Sequence, residues 1–365
     1  MKVALVHDHL AQDGGAENVL RMFQEIYPEA PIFTLVYDRD RAHPAFRKSD
    51  VRTSFIQKFP GGVRFYQAAL PLMSTAVEKY DLSGFDVILS SASAFAKGVL
   101  TTPQTLHVCY CHSPTRYLWS DAHTYYKELR YNRLIKALIP FALTKLRQWD
   151  RAAADRVDRF IANSRYVQGR IQKYYKADSQ IIYPPVEVEK FKIAKEPGDF
   201  YLTLGRLVAY KRYDLTIKAF NELGRPLKIA GEGPEMDYLQ KIAGPNIEFL
   251  GRVDDKTRKE LYAKAQAFVF PQEEDFGITA IEAMASGTPV IAYGRGGALE
   301  TVITGKTGLL FEQQTVSSLI DALNRFWRSD FDPQAIREHA LRFGGGRFKD
   351  EIKNFVNKSW QEFNQ

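Results

Sequence analysis

The chain has 365 residues, 45% hydrophobic and 25% charged, with 24 Gly, 17 Pro and only 2 Cys. That length exceeds one compact core of ordinary size and implies two domains, while the composition excludes disorder and collagen-like architecture. Two cysteines cannot build a disulfide framework in a chain this long, which fits a reducing cytoplasm, and the net charge of +7 asks where the excess lies.

From the N-terminus, Met1 to Asp8 carries one Lys and a four-residue apolar run, which does not read as a secretory signal. Short apolar runs then alternate with helical-period segments, the pattern of parallel sheets with crossover helices. In the first half the expected strands are Lys2–His7, Pro31–Val36, Phe85–Ser90, Thr105–Cys111, Arg159–Ala162 and Gln180–Tyr183. Gly14 and Gly15 follow the first strand, where they let the backbone approach a ligand and present amides at a helix start. His7 and His9 flank Asp8 at the end of that strand; they either line a site or cap the turn. Pro114 forbids continuation of the fourth strand, so His112 projects at its carboxyl end, toward an interdomain cleft. Cys109 and Cys111 share one strand face, and with no second pair nearby a zinc site is not expected.

Residues 127–176 hold 13 basic and 4 acidic side chains, and the first 180 residues carry all of the chain's excess positive charge. Mixed basic and apolar residues from Arg130 through Arg133 and Lys136 to Arg147 have two explanations. One is an interfacial helix on an anionic membrane; the other is a helix burying its apolar face in the first domain. The concentration of charge favours the membrane. Nothing spans a bilayer, since the run Leu134 to Leu143 is short and interrupted by Lys136.

Tyr183-Pro184-Pro185-Val186 marks the boundary, because consecutive prolines continue neither a helix nor an interior strand. The expected domains are therefore 1–183 and 184–346, each a doubly wound α/β unit. A final helix, 347–365, is expected after Gly344-Gly345-Gly346 and crosses back onto the first domain. Second-half strands are expected at Phe200–Gly205, Pro226–Ala230, Asn246–Leu250, Ala267–Phe270, Pro289–Ala292 and Gly308–Phe311, with helices at Tyr213–Glu222, Lys256–Lys264 and Gly277–Ala285. Arg206 and Lys211, at a strand end and in the loop after it, suit the neutralisation of two phosphates. Glu274 in a loop and Glu282 on the next helix are separated by seven residues. Two helical turns span ~12 Å, so the two carboxylates can grip distant hydroxyl-bearing groups of one extended ligand. Between them the backbone of Phe276, Gly277 and Ile278 opens a helix, where free N–H groups favour a phosphate.

The segment from Pro271 to Ala292 resembles the signature of the family 4 retaining glycosyltransferases. Asp13-Gly14-Gly15-Ala16-Glu17 is similar to that family's glycine loop, and Gly205-Arg206-Leu207 with Lys211 to its diphosphate-binding pair. Gly231-Glu232-Gly233-Pro234 and Leu250-Gly251-Arg252-Val253 resemble the loops flanking the nucleotide base. Gly296-Gly297-Ala298-Leu299-Glu300 and Thr307-Gly308-Leu309-Leu310 complete the set. His112-Ser113-Pro114-Thr115-Arg116-Tyr117-Leu118-Trp119 resembles a stretch of the family's mannosyltransferase-like branch. The resemblance covers essentially the whole chain.

The resemblance implies the GT-B architecture, two Rossmann-like domains facing each other across a cleft, with the donor in the second. It implies that Arg206 and Lys211 stabilise a departing nucleoside diphosphate and that Glu274 holds hydroxyls of the transferred sugar. Glu282 would hold those of the ribose, and His112 would contact the donor hexose. Gly14, Gly15, Gly231, Arg252, Val253, Phe276, Gly277 and Ile278 complete the donor site. Arg116 and Trp119 serve either the acceptor or the diphosphate, or act only in packing.

No metal or other cofactor is expected, because Arg206, Lys211 and helix amides supply the charge. Asp38-Arg39-Asp40, similar to a metal triplet of the other main glycosyltransferase fold, is discounted. The expected function is transfer of a hexose, mannose from GDP-mannose, to a lipid-linked or oligosaccharide acceptor in cell-surface polysaccharide synthesis. UDP-glucose is the alternative donor. The enzyme would be cytoplasmic, peripheral on the inner face of the membrane, with no nucleic-acid partner. An epimerase on the same fold would need an acid/base pair that is not evident. A non-catalytic binding protein would be favoured by loss of Glu274, Arg206 or Lys211, and all three are present. A dinucleotide dehydrogenase would need Gly-x-Gly-x-x-Gly where Gly14-Gly15 is followed by Ala16-Glu17.

Overall fold

A computed structural model describes residues 1–123, 126, 133–327 and 329–365. The chain divides into two compact units, Met1–Pro184 with Phe348–Gln365, and Pro185–Arg347. The division falls between the two prolines.

The first unit is built on parallel strands β1 (Val3–His7), β2 (Ile32–Thr34), β3 (Val51–Thr53), β4 (Val87–Ala92), β5 (Leu106–Cys111), β6 (Arg159–Ala162) and β7 (Ser179–Ile181). Their order is β3-β2-β1-β4-β5-β6-β7, so the winding reverses between β1 and β4. Residues beyond the carboxyl ends of strands at such a reversal line the natural ligand crevice. β1 and β4 are in register there, with His7 opposite Ser91.

Strands buried on both faces read as continuous apolar runs, and alternation assigns each side chain to one layer. Ala4, Val6, Ile88, Cys109 and Cys111 face one core, and Val3, Leu5, Leu89, Val108 and Tyr110 the other. The second core is closed by α1 (Gly15–Ile26) and by the last helix, Gly345–Phe363. Phe348 stacks on Phe23 at 6.0 Å and meets Tyr110 edge-on at 5.7 Å, with Ile352 and Val356 buried beside them. That helix starts earlier than its sequence suggests. Gly345 and Gly346 lie inside it, and Gly344 alone stands outside, its N–H bonded to Leu341 O.

Beyond α2 (Met73–Glu78), α3 (Arg133–Ala154) and α4 (Arg165–Tyr175) cover the first core. Leu143, Leu146 and Ala154 are buried in it, so α3 does bury an apolar face in the unit. Phe141 on the same helix is 73% exposed. Arg130 lies outside the described residues. Among the described residues, no helix is long and apolar enough to cross a membrane.

The second unit repeats the plan with parallel strands β8 (Tyr201–Leu204), β9 (Leu227–Ala230), β10 (Ile247–Gly251), β11 (Phe268–Phe270), β12 (Val290–Tyr293) and β13 (Gly308–Phe311). The order β10-β9-β8-β11-β12-β13 reverses between β8 and β11. Helices α5 (Tyr213–Leu223), α6 (Met236–Ile242), α7 (Asp255–Lys264), α8 (Ile278–Ala285), α9 (Ala298–Thr301), α10 (Val316–Phe326) and α11 (Pro333–Leu341) follow in chain order, and the final helix is α12.

Candidate functional site

In the second unit, residues leaving β8 and β11 meet at the reversal. Gly205 ends β8 with φ +143°, and a Cβ there would lie 2.9 Å from Tyr213 Oη and 3.1 Å from Lys211 Nζ. At Gly231, φ +133°, a Cβ would stand 1.9 Å from the Gly205 carbonyl oxygen, so only glycine lets these two strand ends touch. Their closure brings Lys211 Nζ to 3.4 Å from Glu274 Oε1, both side chains mostly shielded from water. The backbone of Glu274 is pinned as well, its carbonyl accepting the Gly297 N–H at 2.9 Å. Arg206, just after β8, is exposed, as is Arg252 after β10, while Val253 is half-buried.

Phe276 is buried against Phe343, and Gly277 then opens α8 with φ +95° and no side-chain cap. Ala280 N–H is bonded to Gly277 O at 3.0 Å, and the amides of Ile278 and Thr279 before it open the helix, the arrangement that suits an anion. Glu282, one turn further on, is buried. Its Oε1 accepts from Arg258 Nη1 at 2.5 Å and its Oε2 from Tyr262 Oη at 3.0 Å. Burial raises the Glu282 carboxyl above the usual range, and Arg258 opposes that rise. Sequence reasoning missed both partners, although Arg258 and Tyr262 stand four residues apart on α7 and share a face. The structure thus groups Lys211 with Glu274, and Glu282 with Arg258 and Tyr262.

In the first unit, His7, Ser91 and His112 meet at the other reversal. His7 Nδ1 lies 3.1 Å from Ser91 Oγ, which lies 2.8 Å from His112 Nε2. Glu17, at the third position of α1, brings Oε1 to 3.7 Å from His7 Nε2. Gly14 caps α1 in extended geometry, with Gly15 as its first residue. Burial, helped by His7, pushes the His112 imidazole down to about 4, so it is neutral at pH 7. His112 is fixed further by its N–H to Ala92 O and by Asn163 Nδ2 donating to its carbonyl at 2.8 Å.

Trp119 turns inward, donating its indole N–H to Asp150 Oδ2 at 2.8 Å and stacking on Tyr174. Arg116 pairs with Asp121 at 2.8 Å. The packing role is the one these contacts support for Trp119. Asp38 accepts the amides of Asp40 and Arg41, a turn-capping function.

Residues 13–190 match the model of glycosyltransferase family 4, and residues 186–343 that of the glycosyl transferases group 1. The chain belongs to the family 4 glycosyltransferases. An alpha-1,3/1,6-mannosyltransferase of Dictyostelium discoideum is 26% identical over 316 residues, covering 72% of this chain and 70% of the relative. A GDP-mannose-dependent alpha-(1-6)-phosphatidylinositol monomannoside mannosyltransferase of Mycolicibacterium smegmatis is 29% identical, covering 51% of this chain and 56% of its own length. The structure of Anabaena HepE in complex with UDP superposes with a TM-score of 0.72 at 16% identity, covering 98% of this chain and all of that one. The fold is GT-B, two Rossmann-like units.

Within this family 4 chain, Asp8 is a residue that sequence reasoning passed over. Both its oxygens are used, by the amides of Ser93 and Ala94 at 2.6 and 2.9 Å and of Phe95 and Ala96 at 2.7 Å each. Burial works to raise its carboxyl, but His7 and the amide donors outweigh burial and hold it below the usual range. A lowered folded value stabilises the fold above the unfolded value of about 3.9 and ceases to do so as pH falls through the folded one. Asp8→Asn should cost on the order of 2–3 kcal/mol at pH 7, because an amide NH2 then faces N–H donors. In urea unfolding the gap to wild type should narrow below about pH 4, and a gap independent of pH would refute the assignment.

Proposed function

We propose that this glycosyltransferase is a retaining, metal-independent enzyme moving mannose from GDP-mannose to a hydroxyl of a lipid-linked saccharide. The observation that carries the reading is the Lys211–Glu274 pair at the strand reversal, a cation for phosphate beside a carboxylate for sugar hydroxyls. As the C1–O bond to the diphosphate breaks, Lys211 and Arg206 neutralise the charge that develops, while the uncapped start of α8 offers amides to the same anion. Glu274 holds the hexose by accepting from its hydroxyls, and neutral His112 is the further hexose contact in this reading. The acceptor oxygen bonds C1 on the face the diphosphate leaves, and the leaving phosphate oxygen takes the acceptor's proton. No side chain need act as base.

Glu282 contributes remaining lone pairs to the ribose, with Arg258 and Tyr262 holding the carboxylate in place. The mannosyl relatives, one of them GDP-mannose-dependent, support the donor choice. Exposed Phe141 on α3 and the basic surplus of residues 127–176 support an anionic membrane surface as the place where the acceptor is met.

Calorimetric titration with GDP, UDP and their mannosyl and glucosyl derivatives, in chelator, tests the donor. Micromolar binding of GDP and GDP-mannose is expected. Binding confined to the uridine compounds would replace the donor, and binding only after a divalent ion is added would remove the metal-free mechanism. With the donor fixed, transfer to a lipid-linked acceptor should be faster in vesicles containing anionic lipid than in neutral ones; equal rates would remove the membrane from the reading.

A further inference from the structure

Glu17 is 1% exposed, and among the described residues neither of its carboxylate oxygens accepts a hydrogen bond. A buried carboxylate without hydrogen bonds needs a cation nearby. His7 Nε2, 3.7 Å away, is placed to provide it. The other charged and titratable groups around His7 are Asp8 and His9 just beyond β1 and His112 just beyond β5. Asp8 is committed to four backbone amides. His9 is held down by burial, and so is His112.

Ser91 has one hydroxyl proton and two imidazole neighbours, His7 Nδ1 at 3.1 Å and His112 Nε2 at 2.8 Å. If His7 carries protons on both nitrogens, its Nδ1–H donates to Ser91, and Ser91 donates onward to His112 Nε2. Neutral His112 then keeps its proton on Nδ1. If His7 Nδ1 is bare, the chain runs the other way: Ser91 donates to His7, His112 donates from Nε2, and His112 Nδ1 becomes an acceptor. One carboxylate thus decides whether His112 offers a donor or an acceptor. A neutral His7 would turn Nε2–H to Glu17 and leave Nδ1 bare, but a buried carboxylate that accepts no hydrogen bond calls for a full positive charge beside it, and that gives the first arrangement.

We infer that Glu17 is a positioning residue which, through His7 and Ser91, sets the tautomer of His112 so that Nδ1–H is the face offered to the donor sugar. That this N–H meets a sugar hydroxyl rests on the function proposed above; the tautomer itself does not. A carboxylate at the third position of α1 also favours the helix start, so loss of stability alone cannot test the idea.

The test is long-range proton–nitrogen NMR on the full chain with ¹⁵N-labelled histidine, His112 being assigned from the signal lost in His112→Gln. Wild type should show His112 protonated on Nδ1. Glu17→Gln and Ser91→Ala should each move the proton to Nε2, while Ser91→Thr, which keeps the hydroxyl, should restore Nδ1–H. Nε2–H in wild type, or a tautomer unmoved by Glu17→Gln, would overturn the inference. In transfer assays Glu17→Gln should lower kcat about tenfold with donor Kd nearly unchanged. A switched tautomer with unaltered kcat would overturn the link to transfer. Failure of wild type to bind any nucleoside diphosphate would strike the proposed function instead, leaving the NMR result standing.

Discussion

Lys211→Ala is expected to lower kcat for transfer by about 10²–10³-fold and to weaken nucleoside diphosphate binding, because it removes a preorganised cation from the place where charge develops. Glu274→Ala should separate the two effects. In the free protein Glu274 holds Lys211 Nζ at 3.4 Å, so deleting the carboxylate frees the ammonium for phosphate and takes a negative charge away from the anion site. Nucleoside diphosphate affinity should then hold or rise while transfer collapses, since the sugar has lost its hydroxyl acceptor. Calorimetry and steady-state kinetics on both variants check this. Folding should cost about 1 kcal/mol in either, the upper end for an ion pair that still reaches solvent. Transfer near wild type in Glu274→Ala, with the fold intact, would remove the sugar-binding role; unchanged affinity in Lys211→Ala would remove the lysine from the phosphate site.

Those two residues could be named from sequence because each sits within a local pattern, a strand end followed by its loop. The apolar runs likewise marked strands whose both faces are buried, and the Pro184-Pro185 pair marked the division of the chain. β3 escaped, since Val51–Thr53 is a three-residue edge strand with largely exposed side chains and carries no apolar signal. What sequence could not give is whatever joins elements distant along the chain. Ser91 meets His7 across 84 residues and His112 across 21, through strand register alone. Asp8 reads as a charge between two histidines, and only the turn at 93–96 shows it to be an anchor. Trp119 stands open in the sequence between ligand contact and packing, and the partner that decides it, Asp150, lies 31 residues away on α3.

Asp150→Ala is expected to cost about 3–5 kcal/mol, the figure for breaking a buried ion pair by removing one partner. Lys97 and Asp150 are each 1% exposed and meet at 2.6 Å. Asp150 also accepts from Thr115 Oγ1 at 2.6 Å, Trp119 Nε1 at 2.8 Å and Tyr175 Oη at 2.9 Å. One carboxylate on α3 therefore ties together the turn after β4, the loop after β5 and the end of α4. Lys97→Met should cost a similar amount, because it leaves the Asp150 charge uncompensated. Lys97→Met combined with Asp150→Ala should be less damaging than the two singles added, since no lone charge stays buried, yet should fall short of wild type because Thr115, Trp119 and Tyr175 are left without an acceptor. Urea unfolding followed by tryptophan fluorescence measures all four corners of that cycle. Additive losses, or an Asp150→Ala cost under about 1 kcal/mol, would show that the pair does not hold these segments. The loop in question begins at His112, so a coupled result would also predict that Asp150→Ala slows transfer under conditions where the variant remains folded.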